Sequence, residues 1–467
     1  MMDMKQSRKI LFPVTLLYAG TMMGQLPTAQ MPPNVIYIMA DDLGIGDLGC
    51  YGQRQIKTPN IDSLASNGMK FMQHYSGSTV SAPSRCALLT GKHMGHASIR
   101  GNAKVPGSDG LLYETPLPAK EVTVADLFKT KNYATGCVGK WGMGGPGTEG
   151  IPNKHGFDYF YGYLGQSFAH HYYPVFLHEN EHKIILNGKF YSHDLMLNKA
   201  LDFIDKNDKK PFFLYFSPTI PHADLNIMKS AMTEYEGQFC ETPFTGKKNG
   251  YKSQQDPRAT YAAMVTYLDK SVGLIVKKLK EKGLYKHTII IFTSDNGVHS
   301  EGGHDPNFFD SNGPFRGQKR DLYEGGIRTP FIVQWPEIIP KGIITNHISA
   351  FWDFLPTMAD VIHADIPQNI DGISYLPTLT RKGNQQEHDC IYFEFFESGG
   401  KQSIMTADGW KLVRLEVSNT SKTREELYNI YTDPAETSNV IKQYPSIANK
   451  LREKIANQRT ENPLFHF

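Results

Sequence analysis

Cysteine is scarce in this chain: five occur in 467 residues, and none is spaced as C-x-x-C. Cys50, Cys86, Cys137, Cys240 and Cys390 are odd in number and scattered, which argues against a zinc knuckle and a disulfide framework. Excess charge is also missing. The 49 basic and 47 acidic residues leave +2, so there is no global field suited to wrapping nucleic acid. No apolar run is long enough to span a bilayer comfortably, and there is no internal repeat or low-complexity tract. What remains is ordinary globular composition, 40% hydrophobic with 12% aromatics.

The N-terminus reads as an export signal over residues 1–30. Lys5, Arg8 and Lys9 precede an apolar stretch from Ile10 to Met23, followed by Pro27, Thr28, Ala29 and Gln30. The stretch is too short and interrupted for an anchor, and no cysteine follows it for lipid attachment. The expectation is an exported protein, periplasmic if the source is Gram-negative, with no stable membrane insertion after signal removal. Residues 31–380 are expected to form a large α/β domain and residues 381–467 a smaller α+β unit.

Short β-branched runs alternate with helical patterns, as in a mostly parallel sheet covered by helices on both faces. The clearest strands are Val35 to Met39, Thr135 to Val138, Phe212 to Phe216, Thr288 to Phe292 and Phe331 to Gln334. A long helix is predicted from Ala259 to Lys282, stopped by Gly283. The polar stretch from Glu236 to Arg258 reads as an exposed loop bordering a substrate entrance. Later, Ile391 to Phe396, Trp410 to Leu415 and a helix from Ser446 to Gln458 mark the smaller unit.

Polar residues follow several of these strands. Asp41-Asp42 comes after the first and Asp295-Asn296-Gly297 after the fourth, where parallel sheets place ligands. Either motif alone also reads as a turn. Together they offer oxygens to a hard cation, and Ca²⁺ is the ion chosen here. Lys140 and His222 follow two more strands. Ser81-Ala82-Pro83-Ser84-Arg85 reads equally as a proline-capped helix start or as an anion site with a guanidinium beside it.

Ser81-x-Pro83-Ser84-Arg85 followed by Leu89-Thr90-Gly91 resembles the signature of type I sulfatases. So do Asp41-Asp42, Gly139-Lys140-Trp141, Pro221-His222, Asp295-Asn296-Gly297, Gly317-Gln318-Lys319 and Tyr323 to Pro330, in order along nearly the whole chain. The resemblance implies the alkaline phosphatase-like fold, with a C-terminal domain around an antiparallel sheet. It implies that Ser81 is oxidised to formylglycine by a maturase before export, as in bacterial members of the Ser type. It further implies that Asp41, Asp42, Asp295, Asn296 and modified residue 81 hold Ca²⁺. Arg85, Lys140 and Lys319 would then neutralise sulfate charge, while His222 protonates the leaving oxygen.

One position departs from the family pattern. Where many members have Lys-Trp-His, this chain has Lys140-Trp141-Gly142, so a histidine near the reacting centre is missing. His170, His171, His299 and His304 are the candidates to replace it. The segment Gln166 to Pro174 resembles bacterial glycan-degrading members, which implies a sulfated galactose or N-acetylgalactosamine substrate contacted by His170 and His171. The competing readings are a phosphodiester or phosphonate ester hydrolase on the same scaffold, and a degenerate protein that binds sulfated glycans without turnover.

Overall fold

An unbroken apolar run, Val35 to Ala40, sits at the centre of a ten-stranded sheet because it has buried neighbours on both faces. The structure is a computed structural model describing residues 32–247 and 250–467, so the export signal expected over residues 1–30 lies outside the described residues. The strands of this sheet are β1 (Asn34–Ala40), β2 (Met69–Phe71), β3 (Ala134–Lys140), β4 (Tyr159–Tyr163), β5 (Phe176–Glu179), β6 (His182–Ile185), β7 (Phe212–Ser217), β8 (Thr288–Ser294), β9 (Phe331–Gln334) and β10 (Ile343–Thr345). Their order is β10-β2-β9-β8-β1-β7-β3-β4-β5-β6. The middle five, β8 to β4, are parallel; β9 pairs antiparallel to β8 and to β2, β10 pairs parallel to β2, and β5 and β6 continue the other side in antiparallel pairs.

Alternation along β1 divides its side chains between two cores. Val35, Tyr37 and Met39 face helix α1 (Ser81–Thr90) through Ala82, Cys86, Leu88 and Leu89. Ile36 and Ile38 face α2 (Ser192–Lys206) and α3 (Pro257–Glu281) through Met196, Ala200, Met264, Leu268 and Val272. Helix α3 is the one predicted from Ala259; Pro257 enters its first turn, where a missing N–H costs nothing. Among the described residues no helix is long and apolar enough to cross a membrane.

The C-terminal sheet has β11 (Cys390–Phe395), β12 (Lys401–Thr406), β13 (Trp410–Leu415) and β14 (Arg424–Asn429), all antiparallel. Helix α4 (Pro445–Ala456) covers one face, with Ala448, Leu451 and Ile455 against Tyr392, Ile404, Leu412 and Leu427. Toward the large sheet it presents a buried cation. Lys411 Nζ lies 2.8 Å from Glu324 Oε1 and 2.9 Å from Glu436 Oε1, and the Glu324 N–H donates to Glu436 at 2.7 Å. Arg328 and the Tyr75 hydroxyl complete the shell of Glu324. Residues Pro33–Phe467 form one compact unit.

Candidate active site

In parallel register Ala40 of β1 stands beside Ser294 of β8, so the residues after both strands emerge at one place. The Asp42 N–H donates to Asp295 Oδ1 at 3.0 Å, and Asn296 Nδ2 donates to Asp42 Oδ1 at 2.7 Å. Asp42 has φ +61°, a left-handed turn that aspartate tolerates better than most residues. The convergence expected of Asp41, Asp42, Asp295 and Asn296 is thus present, and all four are buried.

Ser81 is the first residue of α1, at the positive end of a helix whose ten residues are all buried. Its hydroxyl lies 3.3 Å from Asp41 Oδ1 and 3.1 Å from Lys140 Nζ, and Lys140 Nζ is 2.6 Å from Asp41 Oδ2. One turn along, Arg85 donates to the Lys140 carbonyl and to Asp295 Oδ2, each at 2.8 Å. The Arg85 guanidinium faces Asp295 and does not line the cavity in front of Ser81. Lys319 Nζ reaches Asp42 Oδ2 at 2.7 Å, His222 Nε2 at 3.0 Å and Glu301 Oε2 at 3.2 Å.

Each buried carboxylate of this group therefore has its own cation: Arg85 with Asp295, Lys140 with Asp41, Lys319 with Asp42. Buried charge tolerates no other arrangement cheaply. Burial works against the charge on Lys319, yet Asp42 and Glu301 raise its pKa. Burial also opposes ionisation of Glu301, but Lys319 and Arg320 hold its carboxyl well below the usual range. His222 is driven the other way: burial first, then the charge of Lys319, push its pKa well below the ordinary imidazole value.

The donor set suits a hard cation. Ligand atoms of Asp41, Asp42 and His222 lie within 4.8 Å of one another, and Asn296 Oδ1 is buried with no hydrogen-bond partner. An orphaned amide oxygen beside three carboxylates fits a hard divalent cation.

A cavity of about 150 Å³ opens in front of Ser81, with Lys140, His222 and Lys319 on its walls. Asn102, Lys104, Glu114, Gln166, His170, Tyr251 and Arg320 form the rest of a polar rim. His170 stacks on His222 with ring centroids 4.4 Å apart, and burial then the lysine charges keep it neutral. His171 is not brought in; half-exposed, it turns to Asp224 at 3.4 Å. His299 packs behind His222 and makes backbone hydrogen bonds through both ring nitrogens. His304 stacks on Tyr261, away from the cavity wall. Of the four histidines considered for the gap at Gly142, only His170 lines the cavity.

Glu301, Glu114, Gln166 and Tyr251 were not singled out from the sequence. Glu301 follows closely on Asp295-Asn296, which was the available signal, while Tyr251 comes from the polar stretch Glu236 to Arg258, whose end forms the first turn of α3.

Residues 33–364 match the family described as Sulfatase, and residues 314–461 match the family described as N-sulphoglucosamine sulphohydrolase, C-terminal. The chain belongs to the sulfatase family. It is a sulfuric ester hydrolase on the alkaline phosphatase-like fold expected from the motifs. This sulfatase is 30% identical to the N-acetylgalactosamine-6-O-sulfatase of Bacteroides thetaiotaomicron over 92% of its own length and 93% of that protein. It is 29% identical to human arylsulfatase A, over 88% of its own length and 83% of that enzyme. The crystal structure of Ps i-CgsB in complex with k-i-k-neocarrahexaose superposes with a TM-score of 0.78 at 29% identity, covering 94% of this sulfatase and 95% of that chain. The phosphonate monoester hydrolase of Agrobacterium radiobacter, at 18% identity and TM-score 0.66, covering 91% of this chain and 95% of that one, shares the fold.

Proposed function

We propose that this sulfatase removes sulfate from a sulfated carbohydrate, with Ser81, once oxidised to formylglycine, as its nucleophile and Ca²⁺ as its metal. The observation that carries the reading is the position of the Ser81 hydroxyl, at a buried helix start between Lys140 and Asp41 on the floor of the cavity. Formylglycine, as its hydrate, would supply one hydroxyl to attack sulfur and a second to release sulfate afterwards. Calcium would polarise the sulfate and favour the ionised hydroxyl.

The protein's own groups do the rest. Asp41, Asp42, Asp295 and Asn296 hold the ion, with residue 81 as a further ligand. Arg85 fixes the Asp295 carboxylate, and its charge adds to those of Lys140 and Lys319 opposite the sulfate oxygens. His222 hands a proton to the leaving sugar oxygen, since an unmodified alkoxide leaves poorly. The negative charge of a bound sulfate ester opposes the depression that Lys319 and burial impose on His222.

Polar rim residues with an aromatic side suit a sugar ring, and His170, on that rim, would contact it. Relatives named N-acetylgalactosamine-6-sulfatases, among them the rat enzyme at 31% identity, support the N-acetylgalactosamine alternative over galactose. The remaining parts of this reading are a maturase acting before export, delivery to the periplasm in a Gram-negative source, and a division into residues 31–380 and 381–467.

The test is a set of positionally defined sugar sulfates offered to protein co-expressed with a maturase. The peptide carrying residue 81 should lack two hydrogen atoms relative to serine, and sulfate release should follow the modified fraction. Fully modified protein that releases sulfate from none of them rejects the reading.

A further inference from the structure

Gly142 stands where the family pattern has histidine, and the structure shows what occupies the space. A Cβ built on Gly142 would lie 2.3 Å from Gln166 Nε2 and 2.9 Å from Gln166 Cδ. Gly142 also has φ +82°, a backbone conformation that strains any side chain. The glutamine amide and a side chain at position 142 therefore exclude one another.

Gln166 is held at that place from several directions. The Trp141 N–H donates to the Tyr163 carbonyl and the Gly142 N–H to the Leu164 carbonyl, each at 2.9 Å, so the two segments run side by side. The Gln166 N–H donates to Glu114 Oε2 at 2.8 Å. Only 9% of the residue is exposed, and its Nε2 is buried with no hydrogen-bond partner. The same side chain lines the cavity with Ser81, Lys140, His170 and His222. Buried amide donors are rarely left unpaired, so one on a side chain that lines a reaction cavity points to an acceptor atom of the ligand.

We propose that Gln166 Nε2 donates a hydrogen bond to the sulfate group in the cavity, filling the position of the family histidine with a neutral donor. The ligand class is a tetrahedral oxyanion. This rests on the sulfatase reading of the cavity and adds a substrate-contacting residue to it. Because an amide does not titrate, Gln166 contributes binding and transition-state stabilisation at every working pH and serves neither as base nor as acid. Proton transfers fall to other groups in the cavity.

The test uses two near-isosteric variants of the full-length, matured protein, Gln166→Leu and Gln166→Glu. Three readouts are taken: binding of inorganic sulfate by titration calorimetry, kcat/KM on the best sugar sulfate, and the formylglycine content of the residue 81 peptide. At unchanged formylglycine content, Gln166→Leu is expected to weaken sulfate binding about tenfold and kcat/KM about 100-fold, the scale of losing one donor to a developing oxyanion. Gln166→Glu should be weaker still at neutral pH and recover as pH falls and the introduced carboxyl regains a proton to donate.

Sulfate affinity and kcat/KM within about threefold of the parent in Gln166→Leu would overturn the inference. If Gln166→Leu fails to fold, Gln166→Glu decides alone, and a pH profile parallel to the parent's rejects the donor role. The sulfate titration needs no turnover. A parent protein that hydrolyses no sulfate ester, yet binds sulfate in a Gln166-dependent way, sinks the proposed function and leaves this inference standing. Turnover that ignores Gln166 does the opposite, and a parent that binds no sulfate rejects the inference.

Discussion

Lys319 Nζ lies 3.0 Å from His222 Nε2, and this contact sets the proton on the imidazole. The ammonium has only donors, so Nε2 must accept. The other ring nitrogen, Nδ1, faces the Ala223 carbonyl and must carry hydrogen. In the free protein His222 is thus neutral with its lone pair toward Lys319; both groups stand over the same cavity, and Lys319 is the adjacent donor from which Nε2 can take the proton it passes to the leaving oxygen.

A proton source at this position matters in proportion to the leaving group's need. His222→Ala is expected to lower kcat on a sugar sulfate about 10²- to 10⁴-fold. On an aryl sulfate with an acidic phenol the loss should be small. Comparable losses on both substrates would remove His222 from the leaving-group step.

Metal removal is expected to act on both stability and rate. Each carboxylate of the set retains a protein cation, so the chelated protein should stay folded with a lowered Tm, and turnover should fall at least about 100-fold. Added Ca²⁺ should restore both. In Asn296→Ala, which lacks the orphaned amide oxygen, restoration should need more Ca²⁺. Full turnover after exhaustive chelation would exclude the ion.

The buried pairing at Lys411 predicts a large stability effect far from the cavity. Burial works against ionised Glu324, but Lys411 and Arg328 hold its carboxyl low. Lys411→Met leaves Glu324 and Glu436 facing one another without that cation, and unfolding free energy should fall by about 3–5 kcal/mol. Urea unfolding measures it. A change below about 1 kcal/mol would show that the three charges are not a stabilising unit.

Acid should weaken the fold through a buried imidazole. Burial lowers the pKa of His193 to about 3, against an ordinary value of 6.5. The unfolded chain then binds more protons than the native one between those values, so stability is complete above about pH 6.5 and is lost as pH falls toward 3. In His193→Phe the decline should be shallower, and the Ser271 hydroxyl keeps the Tyr267 carbonyl as acceptor. Equal slopes for the two proteins would reject this origin.

The centre of the fold was legible because its strands are continuous apolar runs, buried on both faces. Phe331–Gln334 and Trp410–Leu415 appear with the bounds read from the sequence. The edges were not. Strand His182–Ile185 is only four residues long with three of them exposed, and Arg424–Asn429 opens on Arg424-Glu425-Glu426, so neither shows a sustained apolar run. The site divides in the same way. Asp41, Asp42, Asp295 and Asn296 could be placed because they follow strands directly, Lys140 because it ends one, and His222 because it lies a short loop beyond another. Gln166 and Glu114 meet only through the packing of a loop against the end of the short strand Leu112–Glu114, which spacing along the chain does not express.

Glu324 and its partners also carry a consequence for the order of events in time. The segment that bears Lys319 leads into Glu324, whose cation and backbone acceptor come from Lys411 and Glu436. While the ribosome is still making the last strands, that lock has no bolt. Ser81, by contrast, emerges early and ends only 4% exposed. Closure around Glu324 therefore waits for the C-terminal strands, and on the formylglycine reading proposed above that is the interval in which a modifying enzyme would meet Ser81 on an open chain.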